Sequence, residues 1–398
     1  MLPTFYQDFL RIHLNEKQIG ILKWLVWILQ MHRQVKLSTL AQFFPQPIKY
    51  DSRVTSLQRF LKLPQLSAKL LWFPLIKRWL KAEYRGNHLN REQRRARPQL
   101  TLKSRKYLVV VLDRTQWRDR NLFMVSLIWG THALPVYWEL LPQLGSSSLR
   151  QQQKILAPVL KLLKPYPVVV VGDREFQSAK LADWLRKRGA DAVLRQKKST
   201  YVADAKTRCQ ALKHRGFQPG QYHFFENVNV NKEEPVRALN LGVYWKRRYR
   251  GKGGKEPWLL LTTLSDAQLV RQIYRARWGI EMMFRDCKSG GYNLESTRVS
   301  PPRLLALILL MTLAYWLATR SGQRLLESHV QSYLGRSDLT PQGFPHHSVF
   351  SLGLSGYAWS QSLLLWRDWM LALMALKPHK SLHFQRGLEA LSLVRQGV

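Results

Sequence analysis

The chain has 398 residues, enough to bury a sizeable core and to form two or three domains. It carries 63 Lys and Arg against 25 Asp and Glu, a net charge of +38. Solubility needs far less than this, so a polyanion is the expected partner, with nucleic acid first and a membrane surface second. A polybasic membrane protein calls for a basic amphipathic helix or a lipidation signal, and the sequence shows neither. Cys209 and Cys287 are the two cysteines, which excludes a disulfide framework or a cysteine-based zinc site. The N-terminus lacks the basic-then-apolar pattern of a signal peptide. The expectation is a protein of the reducing cytoplasm, associated with the nucleoid and not with a membrane.

Residues 1 to about 65 read as short helices. Asn15 caps EKQIGILKWLVWILQMHR, Ser38 opens STLAQFF, and Asp51 or Ser52 opens RVTSLQRFLKL. A basic third helix fits either a helix-turn-helix, with Arg53, Ser56, Arg59 and Lys62 on its outer face, or a plain bundle. Residues 77–106 hold eleven Lys or Arg and two acids, as in an arm that lies along phosphates.

The middle of the chain is strand-like. KYLVVVLD, LFMVSLIWG and HALPVYWELL follow one another closely, as in a meander. A helical stretch, SSLRQQQKILAPVLKLLK, leads to PVVVVGDREF, whose continuous apolar run suits a strand buried on both faces. SAKLADWLRKRG and DAVLRQ then complete the order β-β-β-α-β-α-β, which is that of a ribonuclease-H-like domain. In that order the first and fourth strands lie side by side. From about 196 to 262 the pattern becomes polar and β-rich, through YHFFENVNV, RALNLGVYW and PWLLLTTL, with GKGGK as a flexible turn. Trp245 to Lys255 has six Lys or Arg and no acid, including Arg247 and Arg248 beside Trp245 and Tyr249.

A helix is expected from about Asp266, capped by Ser265, to Gly290-Gly291. Leu304 to Thr319 carries no charge over 16 residues, slightly too few to span a bilayer, and reads as a buried core helix. The rest is helical and loopy. It includes an aromatic-rich LLLWRDWMLALMAL and a loop, QGFPHHSVF, whose His346 and His347 are read as structural. The expected domains are a helical N-terminal region with its basic linker (1–100), a first core segment (101–195), an inserted β-rich domain (196–262), a second core segment (263–325) and a helical C-terminal region (326–398).

Three carboxylates stand out. Asp113 and Asp173 each end an apolar run, VVVLD and VVVVGD, and Glu281 lies 108 residues beyond Asp173. Carboxylates at the end of a rigid sheet suit two-metal phosphoryl transfer, and Mg²⁺ suits oxygen ligands. An aspartate at a strand end is also a common turn residue. On the later helix, Tyr274, Arg277, Glu281 and Lys288 lie at offsets of 3, 7 and 14, within roughly 60° around the axis. That face offers two cations for phosphates and a phenol for a phosphate or sugar. It also fits a solvated face with an i,i+4 ion pair.

Tyr274-x2-Arg277-x3-Glu281-x6-Lys288 resembles the YREK motif of the DDE transposases of the insertion sequence 4 class. VLDRTQW, VYWELLPQLGSSS and VVVVGDREF look alike as well, and the likeness covers roughly residues 100–320. The resemblance implies an α/β fold: a ribonuclease-H-like mixed sheet flanked by helices, with an inserted β-rich domain and helical N- and C-terminal regions. It implies Asp113, Asp173 and Glu281 as ligands of two Mg²⁺ ions, for which Mn²⁺ can substitute. It implies cut-and-paste transposition through a DNA hairpin, a homodimer in the synaptic complex, and as partners the terminal inverted repeats and target DNA. An aromatic residue of the inserted domain would stack on a flipped base; Trp258 occupies the matching place, with Trp245 as a second candidate and a core tryptophan as the alternative. The competing expectations are another nuclease of this fold, an inactive DNA-binding derivative of a transposase, and a basic coat protein. A coat protein has no reason to place carboxylates against phosphates.

Overall fold

The computed structural model describes residues 2–85, 107–205, 207–247, 254–341, 343 and 345–398. Most of the basic arm, Arg248, Tyr249, part of the GKGGK turn and two residues of the His-bearing loop therefore lie outside the described residues. The chain forms two compact units. One joins Met1–Pro98 to Phe284–Val398, and the other is Gln99–Met283.

The first unit begins with α1 (Thr4–His13), α2 (Glu16–His32), α3 (Leu37–Gln42) and α4 (Tyr50–Phe60), followed by a π-helical turn, Ala68–Trp72, leading into α5 (Phe73–Arg85). Asn15 caps α2 through a reciprocal capping box with Gln18, as its sequence predicts. The sequence reading missed α1. It is held because the buried Tyr6 hydroxyl donates to the Leu71 carbonyl at 2.9 Å, a partner 65 residues away.

The second unit is built on one mixed sheet. β1 (Leu108–Trp117), β2 (Arg120–Trp129) and β3 (His132–Leu140) form the antiparallel meander. α6 (Leu149–Leu163), opened by a Ser148–Gln151 capping box, leads to β4 (Val168–Gly172); α7 (Ala179–Arg186) leads to β5 (Asp191–Arg195). β1, β4 and β5 run parallel side by side, so the order β3-β2-β1-β4-β5 is the ribonuclease-H-like arrangement expected from the sequence. Valine-rich β4 is buried along its whole length, the pattern of a strand covered on both faces.

The polar segment that follows adds β6 (Tyr201–Ala203), β7 (Gln210–Ala211), β8 (Tyr222–Val230), β9 (Val236–Tyr244) and β10 (Trp258–Thr262). These strands do not form a separate sheet. β10 pairs antiparallel with β5, and the ten strands run β3-β2-β1-β4-β5-β10-β9-β8-β6-β7. The insertion therefore completes the edge that β5 would otherwise leave open.

α8 (Ala267–Ala276) and α9 (Trp278–Cys287) replace the single helix expected from Asp266 to Gly290. Asp266, not Ser265, caps α8, accepting from the Leu269 amide at 3.0 Å. The join falls at Arg277, whose amide bonds back to the Tyr274 carbonyl in a tighter turn.

The first unit resumes with α10 (Pro301–Glu327), α11 (Val349–Leu365), α12 (Arg367–Ala375) and α13 (Ser381–Gly397). At 27 residues, α10 is longer than its uncharged stretch suggested and long enough to cross a membrane by length and composition. Its apolar side chains are nevertheless buried in this unit, as a core helix requires. α10 and α11 cross at glycines: a Cβ on Gly322 would stand 1.8 Å from the Val349 carbonyl, and one on Gly353 would stand 1.8 Å from that of Ala318.

Candidate active site

The β1–β4 ladder pairs Leu108 with Val168 and runs to Val111 with Val171. Continued by two residues, the same register sets Asp113 level with Asp173 on one face. Asp113 is not at the end of its strand, however. β1 runs on to Trp117 because its second half pairs with β2, where Asp113 faces Met124. It stands beyond the end of β4 yet inside a hairpin, which keeps its backbone rigid. Asp173 follows Gly172 and caps a short 3₁₀ turn, accepting from the Glu175 amide at 2.9 Å. A Cβ on Gly172 would stand 2.6 Å from the Phe176 Cβ, so this turn needs glycine.

Arg277 ties the third carboxylate to the first. One guanidinium nitrogen lies 3.2 Å from Asp113 Oδ2, and the other donates to Glu281. The i,i+4 ion pair of a solvated face is thus present, but its arginine is largely buried and turned onto the sheet. Gly279 allows that approach: a Cβ there would stand 2.9 Å from the His132 carbonyl oxygen. Burial pushes the Asp113 carboxyl up to about 6; the Arg114 amide and Arg277 oppose this, and the charges of Asp173 and Glu281 add to it. Burial alone would lower the Arg277 pKa, but Asp113, Tyr274 and Glu281 carry it above its ordinary value.

Tyr274 is buried. Its ring meets Trp258 edge-on, with centroids 4.9 Å apart. Burial raises its phenol pKa, opposed by Arg195 and Arg277. Trp258 is half-buried and pairs across the sheet with Tyr244. Trp245 donates its indole N–H to the Gly254 carbonyl at 3.1 Å. Lys288 falls in the other compact unit, where it pairs with Glu295 at 2.7 Å. Among the expected DNA contacts, Arg59 and Arg247 are exposed. Arg53 is turned inward and donates to the Gln42 and Phe44 carbonyls at 3.2 and 3.3 Å, bracing the α3–α4 turn. His346 bonds Asp338 at 3.1 Å.

Sequence reasoning missed a polar network behind the aspartates. Arg114, next to Asp113, grips Glu175, two residues past Asp173, with Nε 3.0 Å from both carboxylate oxygens and Nη2 at 2.9 Å from one. Its Nη1 donates to Asn121 at 2.9 Å. Glu175 also accepts from the amide and hydroxyl of Ser147, at 3.0 and 2.9 Å. Burial raises the Glu175 pKa, but the bonds from Arg114 and Ser147 bring it below its ordinary value. The available signal was the repeated Asp-Arg after two apolar strands. It explains why VLDRTQW, the serines after VYWELL, and VVVVGDREF belong together.

Among the described residues, no group of three or more His, Cys, Asp or Glu side chains is arranged to hold a metal ion. The donor chemistry still suits a hard cation. Asp113 and Glu281 both bond Arg277, and Asp113 has its charge disfavoured by burial and by its acidic neighbours Asp173 and Glu281, which a divalent ion would relieve.

The model of the transposase DDE domain matches residues 104–317, more than half of the chain, and the chain belongs to that family. No curated protein matches it. Among solved structures, it is similar to the piggyBac transposase in a synaptic complex with hairpin DNA, at 15% identity and a TM-score of 0.36, over 64% of this chain and 52% of that one. The chain thus spans about half the length of that transposase.

Proposed function

We propose that the protein is a transposase of an insertion sequence of the class 4 type. It would cut the phosphodiester backbone at the element ends and join the freed 3′ ends to target DNA by a cut-and-paste route. The observation that supports this most is the shared level of Asp113 and Asp173 on adjacent parallel strands, with Arg277 linking Asp113 to Glu281.

Asp113, Asp173 and Glu281 would hold two Mg²⁺, or Mn²⁺ in its place. When bound, the ions would activate the attacking oxygen and stabilise the leaving one. The protein's own groups would act around that chemistry. Asp113 must be ionised to serve as a ligand. Arg277, released from the carboxylates, would hold a DNA phosphate beside them through its fork, and Lys288 would hold another. Tyr274 would fix Trp258, whose exposed part could stack on a base flipped out of a hairpin. In the hairpin step the freed 3′ oxygen attacks phosphorus on the opposite strand, its proton passes to solvent, and the 3′ oxygen of that strand leaves.

The net charge of +38 supports binding to DNA. The exposed Trp366, Trp369, Leu373 and Leu376 support pairing with a second copy in a synaptic homodimer. The domain division from the sequence, with DNA-reading residues Arg53, Arg59, Arg247 and Arg248 outside the core and action in the nucleoid, belongs to the same proposal.

The test is to incubate wild type and Glu281→Gln with a duplex carrying the sequences that flank the coding region, with Mg²⁺ and without. Wild type alone, and only with metal, should give end cleavage and joined products. Tight binding with intact DNA under every condition would point instead to a binding protein derived from a transposase. Cleavage without joining would point to another nuclease of this fold.

A further inference from the structure

In a chain with so few acids, one carboxylate is held by three cations. Glu256, two residues before Trp258, pairs with Arg174, with Arg195 at 3.3 Å and with Lys198 at 3.5 Å. Burial opposes its ionisation, but the three cations bring its pKa below the ordinary value. These cations lie along the site. Arg174 follows Asp173 directly. β4 and β5 pair Gly172 with Leu194, so the next step sets Arg195 level with Asp173 on the same face. Arg195 also opposes the rise of the Tyr274 phenol pKa. Carried on by these registers, Asp113 within β1, Asp173 just past β4 and Arg195 at the end of β5 fall in one row across three adjacent parallel strands.

Three cations around two carboxylate oxygens exceed what one glutamate needs. Arg174 and Lys198 are about half exposed, so the seat opens to solvent. A tetrahedral phosphate group, with more acceptor oxygens and at least one charge, fits the same donors. We infer that Arg174, Arg195 and Lys198 form a seat for one DNA backbone phosphate next to the acidic site, and that Glu256 occupies this seat as an internal competitor until DNA displaces it. This rests on the transposase reading for its ligand, but it concerns binding and not cleavage. The consequence is that Glu256 weakens the binding of DNA while keeping three clustered cations from repelling one another.

The experiment measures the affinity of the full chain for a duplex of the flanking sequence, without metal, across a salt series. It compares wild type, Glu256→Gln and Glu226→Gln. Glu226 is exposed on β8, so its substitution makes the same charge change elsewhere. Glu256→Gln should bind several-fold more tightly throughout the series, with a loss between about 50 and 200 mM salt like that of wild type, because the phosphate fills the same seat in both complexes. The gain should vanish in Glu256→Gln combined with Lys198→Ala, a pair chosen because the Lys198 side chain is half exposed. Equal gains for Glu256→Gln and Glu226→Gln would overturn the seat, leaving only long-range charge. Weaker binding by Glu256→Gln, with an unchanged melting temperature, would also overturn it and make Glu256 a positioning residue. If instead inorganic phosphate raises the melting temperature of Glu256→Gln at constant ionic strength while duplex affinity stays at the wild-type value, the seat takes free phosphate and the DNA assignment falls. Metal-dependent cleavage, read separately on the same preparations, keeps the two claims apart: cleavage with no Glu256 effect sinks the seat alone, and a Glu256 effect with no cleavage sinks the transposase reading alone.

Discussion

Asp113 and Asp173 are 60 residues apart in sequence, the same offset as every pair of the β1–β4 ladder from Leu108–Val168 to Val111–Val171, so that ladder carried on by two residues sets them level. Their proximity is set by backbone pairing and not by side-chain choice. It comes with an electrostatic cost, since burial and the nearby acids disfavour the charge on Asp113.

That cost predicts a stabilising substitution. The Asp113 carboxyl rises from 3.8 to about 6 in the folded state. The native state therefore binds more protons than the unfolded state between those values, and stability falls as pH rises through that window. Above it, the penalty levels off at about 3 kcal/mol. Asp113→Asn should raise the melting temperature at pH 7.5, abolish cleavage, and lose its advantage below about pH 4, a limit set by the ordinary carboxylate value. Thermal melts across pH read this directly. An Asn variant less stable than wild type at pH 7.5 would contradict it. Adding Mg²⁺ should raise the melting temperature of wild type and not of this variant.

The approach of α9 to β3 predicts a severe effect from one methyl group. Ala at 279 would press on the His132 carbonyl, a backbone group that cannot swing aside. The expected loss is about 1–3 kcal/mol of stability. It should be accompanied by lost cleavage, since Glu281 lies two residues on. Chemical denaturation and cleavage of the same preparation test it. Full activity at wild-type stability would show that the helix has room to shift.

Much of this was legible in the chain. Valine-rich runs marked β1 and β4, the apolar WLLLT marked β10, and the Tyr274-to-Lys288 spacing pointed to the face that holds Arg277 and Glu281. What escaped was non-local. Nothing near β10 announces that it pairs with β5, so the polar insertion looked like a separate domain when its strands extend the core sheet. Nothing near Arg114 announces Glu175, 61 residues away. The break at Arg277 was hidden because the helical spacing of residues runs through it without a proline, and the constraint comes from Asp113 on the sheet.

The Arg114–Glu175 pair should behave as a brace for both aspartates. Glu175→Ala leaves a buried guanidinium without its carboxylate, an effect on the order of 3 kcal/mol. Because the folded pKa of Glu175 is lowered, its contribution is present above the ordinary carboxylate range and is lost as pH falls through the folded value. A double-mutant cycle with Arg114→Ala should return a coupling of at least about 1 kcal/mol at pH 7 that shrinks in acid. Additive losses would show that the two residues act separately.

Arg277 makes the sharpest prediction, because its two partners are both proposed metal ligands. Lys at this position keeps the charge but loses the planar fork that reaches Asp113 and Glu281 together. Gln loses the charge as well. Since Arg277 opposes the rise in the Asp113 pKa, its removal should push the Asp113 carboxyl further above about 6 in the metal-free protein. The expected order of Asp113 pKa is therefore wild type lowest, then Arg277→Lys, then Arg277→Gln, read from the carboxyl carbon resonance in a pH titration. Cleavage should be impaired in both variants, because neither can present a bidentate donor to a phosphate. If the order of pKa values holds while Arg277→Lys cleaves as wild type does, Arg277 screens the carboxylates without handling DNA. If the Asp113 titration is the same in all three proteins, the contact between Arg277 and the sheet does not persist in solution, and its link to Glu281 is an ordinary helix-surface ion pair.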